Sequence, residues 1–273
     1  GSPAVRLFTT DPNHAVSVSN NSASLTGGGI YVQPELGDCR NPAIVCAENF
    51  SIDNNSAQEG AAIYADDDGA SPLDGGFVGL NVVTSPSFGN NNLSICQHSN
   101  LVAHGAVSCA VGVACNELNG NVAQTVSGTP TSGAAILMQT AGYMYADRFS
   151  MRGNTGGKAI RVLTDGDEGA AALHNCLLAE NTATEQLIDA TPGGGSLFNM
   201  AIDSCTIAEN SIGADHSMIV QLDDSSTFAL SNSIIAEPGL PTLDYQGNSG
   251  NLSVSYVLST DVSTLSGIGV IKG

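Results

Sequence analysis

Four of the seven cationic side chains in this 273-residue chain crowd into one short stretch: Arg148, Arg152, Lys158 and Arg161. The rest of the chain is strongly acidic, with 26 Asp and Glu and a formal net charge of −19. Cations beside carboxylates are the equipment of acid–base chemistry on acidic sugars. A lyase of uronate polymers needs a base at the sugar's α-proton and a cation on its carboxylate. A glycoside hydrolase needs two carboxyl groups flanking the glycosidic bond. Asp53 and Glu117 are the carboxylates that the repeat described below brings to Arg152, with Asn119 between them and Lys158 as a second cation. The plainer reading of the same residues is a surface ion-pair cluster of Arg152 with Asp53, Glu117 or Asp147, which contributes little stability. That plainer reading is the expected one.

Three other groups could bind ligands. Acidic residues recur at Asp66, Asp67 and Asp68, at Asp165, Asp167 and Glu168, and at Asp189, Asp223 and Asp224. Stacked carboxylates could hold Ca²⁺ through oxygen ligands, but no run matches a complete calcium loop, so solvated turns are the simpler reading and no cofactor is required. Tyr31 and Tyr64 occupy equivalent outward positions and could stack on sugar rings beside Arg161. Alternatively they pack beneath loops at about residues 33–48 or 66–92. Among the histidines, His174 aligns with Asp203 one repeat later, which would allow a His–Asp contact between coils. No serine lies in a nucleophile-elbow setting, which discounts a catalytic triad.

The seven cysteines are an odd number, so a monomer carries at least one free thiol. Cys39 with Cys46 and Cys109 with Cys115 are candidate local disulfides. Cys176 and Cys205 are 29 residues apart at the same repeat position. They read as two stacked buried thiols, with a disulfide geometrically open but not required. No spacing suits zinc.

What positions these residues is a repeat. Apolar-x-apolar-x-x-Asn occurs at Val16 to Asn21, Phe50 to Asn55, Phe149 to Asn154, Cys176 to Asn181 and Cys205 to Asn210. Asn116 to Asn121 fits with a polar first position, and Ser233 to Pro238 fits with the Asn lost. The spacings are 34, 66, 33, 27, 29 and 28. The 66 reads as two units with a degenerate one at Leu93 and Ile95, which makes about eight units. After each Asn comes a second short alternation, such as Gly28 to Tyr31 or Ala61 to Tyr64. A third precedes the next unit, as at Met144 to Ala146 and Met200 to Ile202. Three short strands per repeat, with apolar positions in register, predict an all-β, right-handed parallel β-helix of about eight coils. Long loop insertions are expected at about 33–48, 66–92 and 97–115. Asn at the turn is expected to adopt the left-handed conformation while its amide bonds the next Asn. The whole of residues 1–273 reads as one domain. Because the chain opens Gly1-Ser2-Pro3 without Met, it reads as a fragment of a longer protein.

Composition agrees with this. Charged residues are only 12%, and the 32 glycines have no period of three, which excludes collagen. The net charge of −19 repels phosphate backbones and argues against nucleic acid as a partner. There is no apolar run of roughly 18 residues, so no helical membrane span is expected. One face is less conventional. Outward positions on the first strand are polar early (Ser17, Ser19, Ser51, Asp53) and apolar late (Leu177, Ala179, Ala208, Ile234, Ala236). A partner, a loop or a missing segment over Leu177 and Ile234 is expected.

The segments Val18 to Ala23 with Gly27 to Tyr31, and Ile52 to Ala57 with Gly60 to Tyr64, resemble the repeat of polymorphic outer-membrane autotransporter passengers. More broadly, they resemble secreted bacterial right-handed β-helix proteins. The resemblance spans about residues 14–270 and is specific for fold rather than function. It implies an extracellular or cell-surface location. The leading functional reading is an adhesin-like, non-enzymatic module whose loops meet a glycan or a host or cell-surface protein. It transfers no catalytic residue. A polysaccharide-active enzyme and a purely structural spacer are the alternatives.

Overall fold

Alternating apolar and polar residues favour extended strands that bury one face. In this computed structural model those alternations form three long parallel sheets. The described residues are 4–7, 14–33, 44–47, 50–66, 77–80, 87–88, 91–92, 116–123, 135–139, 143–165, 169–193, 198–214, 216–217, 219, 226–237, 240–243, 251–260, 267 and 269–272. Sheet I has eight strands, running from Ala4–Leu7 through Ile44–Ala47, Phe77–Leu80, Tyr143–Asp147, Gly169–His174, Phe198–Asp203 and Thr227–Ser231 to Leu252–Ser255. Sheet II has nine: Val16–Ser19, Phe50–Asp53, Glu117–Asn119, Ser150–Arg152, Leu177–Ala179, Thr206–Ala208, Ile234–Ala236, Leu258–Ser259 and Ile271–Lys272. Sheet III has five: Ile30–Val32, Ile63–Asp66, Ile136–Gln139, Ile160–Asp165 and Ile188–Gly193. A four-stranded ribbon that includes Ser56–Ala57 and Thr155–Gly156 links the second sheet to the third.

The chain visits sheet I, sheet II, the ribbon and sheet III in turn, then returns one rung along. That path is a parallel β-helix. Identical positions stack. Ile30, Ile63, Ile136, Ile160 and Ile188 form one ladder through sheet III, and all five are buried. Leu118, Met151, Leu178, Ile207 and Ile235 form another through sheet II. Burying each such side chain contributes about 1.5–3 kcal/mol, so the ladders are what hold the coils together.

Three expectations change. Ser51 pairs directly with Glu117, and Ile63 with Ile136. The 66-residue spacing therefore separates neighbouring rungs rather than rungs two units apart, and Leu93 and Ile95, the expected place of a degenerate unit, lie outside the described residues. Second, the stretches expected as loops carry sheet I strands, at Ile44–Ala47 and Phe77–Leu80. The second of these spans also holds an antiparallel pair, Ser87–Phe88 with Asn91–Asn92. Third, the ladder Asn is not the left-handed residue. That conformation belongs to its predecessor: Asn20, Asn54, Gly120, Gly153, Glu180 and Glu209 all have positive φ. The turn thus separates two tasks on adjacent residues, one reversing the backbone and the next bonding the neighbouring coil.

Candidate functional site

The outward side of sheet II carries the expected cluster. Asn119 pairs with Arg152 in register. The Asn119 backbone N–H donates to Asp53 Oδ1 at 2.8 Å, and that of Arg152 donates to Asn119 Oδ1 at 3.1 Å. Asn119 Nδ2 donates to Glu117 Oε2 at 2.9 Å, and Ser51 Oγ donates to Asp53 Oδ2. Asp53, Glu117, Asn119 and Arg152 are therefore brought together. Burial pushes the Glu117 carboxyl above the usual range and the negative charge of Asp53 adds to this, against the Asn119 hydrogen bond and the charge of Arg152. The guanidinium itself points elsewhere: Arg152 Nη1 lies 3.7 Å from Glu180 Oε1. The expected ion pairing with Asp53, Glu117 or Asp147 gives way to this one, because Glu180 occupies the turn directly beside the neighbouring rung. Asp147 instead accepts from Arg148 Nε at 3.0 Å and from Asn175 Nδ2 at 2.8 Å.

Lys158 and Arg161 do not join this cluster. A few residues along a coil carry the chain from one face to another. Lys158 is buried in the turn before sheet III, where its Nζ donates to Glu185 and lies 3.5 Å from Asp189 Oδ2. Arg161 Nε is 3.3 Å from the same Asp189 oxygen. The cation-rich stretch thus divides among three separate acidic partners: Asp147, Glu180, and the Glu185–Asp189 pair.

Tyr31 and Tyr64 do stack, with ring centroids 5.2 Å apart and planes at 15°. Their ladder continues through Leu137 and Arg161 to Asp189. Tyr31 is 46% exposed and Tyr64 only 6%. One ring is therefore open to a ligand and the other backs it. Asp66 and Asp165 end strands of sheet III. Their side chains, with Asp67, Asp68, Asp167 and Glu168, lie outside what is described. Among the described residues, no group of three or more His, Cys, Asp or Glu could hold a metal ion.

At the corner between sheets I and II, His174 Nδ1 lies 3.8 Å from Asp203 Oδ2. Asp203 also accepts from Ser231 Oγ at 2.6 Å, Asn232 Nδ2 at 2.7 Å and Ser204 Oγ at 3.0 Å. Burial alone would raise its carboxyl, but these hydrogen bonds and His174 outweigh that and hold it below the usual range. Beside it, Cys176 and Cys205 form a disulfide between adjacent coils, with Cα atoms 4.5 Å apart. This replaces the reading of two stacked thiols. The Cys205 backbone N–H donates to Ser233 Oγ, one rung on, at 3.1 Å. Cys46 is also disulfide-bonded. Cys39, Cys109 and Cys115 lie outside the described residues, and the expected Cys39–Cys46 and Cys109–Cys115 pairings with them.

One structural residue escaped the repeat pattern. The amide ladder runs Asn21, Asn55, Asn121, Asn154, Asn181, Asn210, each Nδ2 donating to the next Oδ1 at 2.8–3.1 Å. It does not end where the pattern loses its Asn. Glu237 takes over, its Oε1 accepting from Asn210 Nδ2 at 2.7 Å and from the Asn210 N–H at 2.9 Å. Burial raises its carboxyl above the usual range and Glu209 adds to this, against the two Asn210 donors. The only signal in the sequence is an acceptor one residue before Pro238.

The repeat of the Chlamydia polymorphic membrane proteins matches residues 15–33. That span contains one sheet II strand, the left-handed Asn20, the ladder Asn21 and the first strand of sheet III. Its glycines are sterically required. A Cβ on Gly28 would stand 2.5 Å from the Ser56 carbonyl oxygen and 2.6 Å from that of Ala61. No curated protein and no solved structure matches the chain. Among the described residues, no helix is long and apolar enough to cross a membrane.

Proposed function

We propose that this chain is a cell-surface, adhesin-like β-helix module that presents its loops and the Tyr31 face to a glycan or to a host or cell-surface protein. The observation carrying this reading is the match of residues 15–33 to a polymorphic membrane protein repeat. That segment is the part of one rung from sheet II to sheet III, with strand, turn, ladder amide and close-packed glycines. The inter-coil disulfide supports an oxidising, extracellular setting. The test is adhesion. Purified chain is applied to a glycan array and to epithelial cells, alongside Tyr31→Ala. Saturable binding, weakened by the variant on glycans, is expected. Absence of binding to both surfaces would overturn the reading.

The Asp53–Glu117–Arg152 cluster favours a second reading, a polysaccharide-active enzyme. Its specific observation is Glu117, a carboxyl held toward its protonated form beside a second carboxylate. Incubation with uronate polymers, with and without Ca²⁺, and absorbance of unsaturated products decides it. Turnover abolished by Arg152→Ala would replace the adhesin reading. A spacer would show neither turnover nor binding.

A further inference from the structure

The outward ladder of sheet II changes character toward its C-terminal rungs. Leu177 pairs with Thr206, Thr206 with Ile234, Ile234 with Leu258 and Leu258 with Ile271. The last three are exposed at 44%, 43% and 64%. Ala179, Ala208 and Ala236 form a parallel, lower ladder beside them. The result is a ridge with a shallow trough along it. Beside the Leu177 and Thr206 rungs the border is acidic: Glu180, which Arg152 shares, and Glu209 occupy the exposed left-handed turn beside the alanines, and Asp203 borders the other side with its carboxyl held ionised. Isolated exposed apolar residues are ordinary, but three on successive rungs are a patch that needs a cover.

We propose that this face docks a basic amphipathic helix of a partner protein. The spacing suits one. Five rungs span four steps of about 4.8 Å, roughly 19 Å. That length is about 13 residues of helix. A helix laid along the solenoid axis presents an apolar side chain about every 5 Å, close to the rung spacing. The charge selects the rim of that helix. The acidic border at the Thr206 end, on a chain of net charge −19, attracts Lys and Arg flanking that end of the apolar stripe. It repels a second copy of this chain and an anionic lipid surface. A glycan would find few hydrogen-bonding groups on the ridge, since Thr206 is its one polar rung. This inference does not rest on the adhesin reading, which concerns the loops and Tyr31.

The probes are three synthetic peptides of about 14 residues: a Leu/Lys amphipathic helix, its Leu/Glu counterpart, and a scrambled peptide of the Leu/Lys composition. Binding to the full chain is followed by calorimetry at near-physiological salt. The Leu/Lys helix is expected to bind, and both controls to bind at least about tenfold more weakly. Ile234→Ser/Leu258→Ser/Ile271→Ser should weaken the Leu/Lys helix at least about tenfold with an unchanged thermal midpoint. If that variant melts early, single Leu258→Ser and Ile271→Ser carry the test. Equal binding of the scrambled peptide, or no loss in the variants, overturns the proposal. So does sedimentation showing that the parent self-associates and the triple variant does not, which would assign the face to a second copy. Cell adhesion of the triple variant separates the two readings. Adhesion retained with peptide binding lost supports this face as distinct from the loops. Adhesion absent in parent and variant, with peptide binding intact in the parent, removes only the adhesin reading.

Discussion

An Asn within the ladder makes four side-chain hydrogen bonds at once. Asn154, for example, accepts the Asn121 N–H and the Asn121 Nδ2 on its Oδ1, while its own Nδ2 reaches the Leu118 carbonyl at 2.9 Å and Asn181 Oδ1 at 2.8 Å. Buried donors without acceptors are costly, so the ladder needs a final acceptor with no amide of its own to satisfy. A carboxylate meets that need, and Glu237 supplies it. Glu237→Ala strands the Asn210 backbone N–H, while Asn210 Nδ2 keeps the Leu178 carbonyl at 2.9 Å and that of Ala208 at 3.1 Å, and should destabilise by about 1–3 kcal/mol in urea unfolding. Glu237→Gln keeps Oε1 and should fold. Its pH dependence has a definite sign. With the carboxyl raised above its ordinary value of 4.5, the parent's contribution from this group is full below that value and declines as pH rises through the raised value. The Gln variant lacks that decline, so parent and variant should diverge above about pH 4.5 and converge below it. A variant that tracks the parent at every pH would show that Glu237 does not ionise against the fold. The recurrence of Asn was legible because one residue type solves one geometry. Glu237 was not, because a longer side chain reaches the same point from one position earlier.

Turns and sheet corners decide where the site residues go. The left-handed turn after each sheet II strand tolerates Asn and Gly readily and Glu at a cost. A Cβ on Gly153 would meet nothing within 4 Å, yet φ there is +61°. Gly153→Ala should therefore destabilise by about 1–2 kcal/mol through backbone conformation alone. A loss well below that in chemical denaturation would mean the turn relaxes. At the neighbouring corner, the Cys176–Cys205 bridge closes a 29-residue span. On the chain-entropy account, Cys176→Ser/Cys205→Ser should cost about 3–4 kcal/mol. The serines themselves should fit, since Ser233 already occupies the next rung and accepts the Cys205 N–H. Both cysteines are buried, so the folded protein should resist thiol reductants that readily reduce it in urea. At this scale the sequence was partly legible. In-register alternation placed Asp53, Glu117, Asn119 and Arg152 on one face, because period-two patterning determines which side of a sheet a residue takes. It could not separate Lys158 and Arg161 from Arg152, because proximity along a coil is not proximity across its corners. It also misjudged the 66-residue gap, since a spacing counts residues and not rungs.

Across the whole molecule, stacking turns a charge imbalance into a linear array. The 26 acidic groups face 7 cations. Four of those cations are committed locally, at Asp147, Glu180, and the Glu185–Asp189 pair. Parallel coils bring like positions within about 4.8 Å of each other, so unpaired carboxylates on equivalent turns repel along the axis. Two opposing salt effects follow. Screening weakens the local ion pairs, which lowers stability, and relieves the axial repulsion, which raises it. The exposed pair, Arg152 with Glu180, is worth little in either direction. The buried Lys158 set is screened only slightly. Repulsion should therefore dominate. The thermal midpoint is expected to rise as sodium chloride goes from about 0.01 M to 0.15 M, where the Debye length falls from about 30 Å to 8 Å. The rise should flatten beyond that range, once the screening length is comparable to a few rungs. A midpoint that falls with salt would place the balance with the ion pairs instead, and Lys158→Met would then be the most destabilising of the cation substitutions.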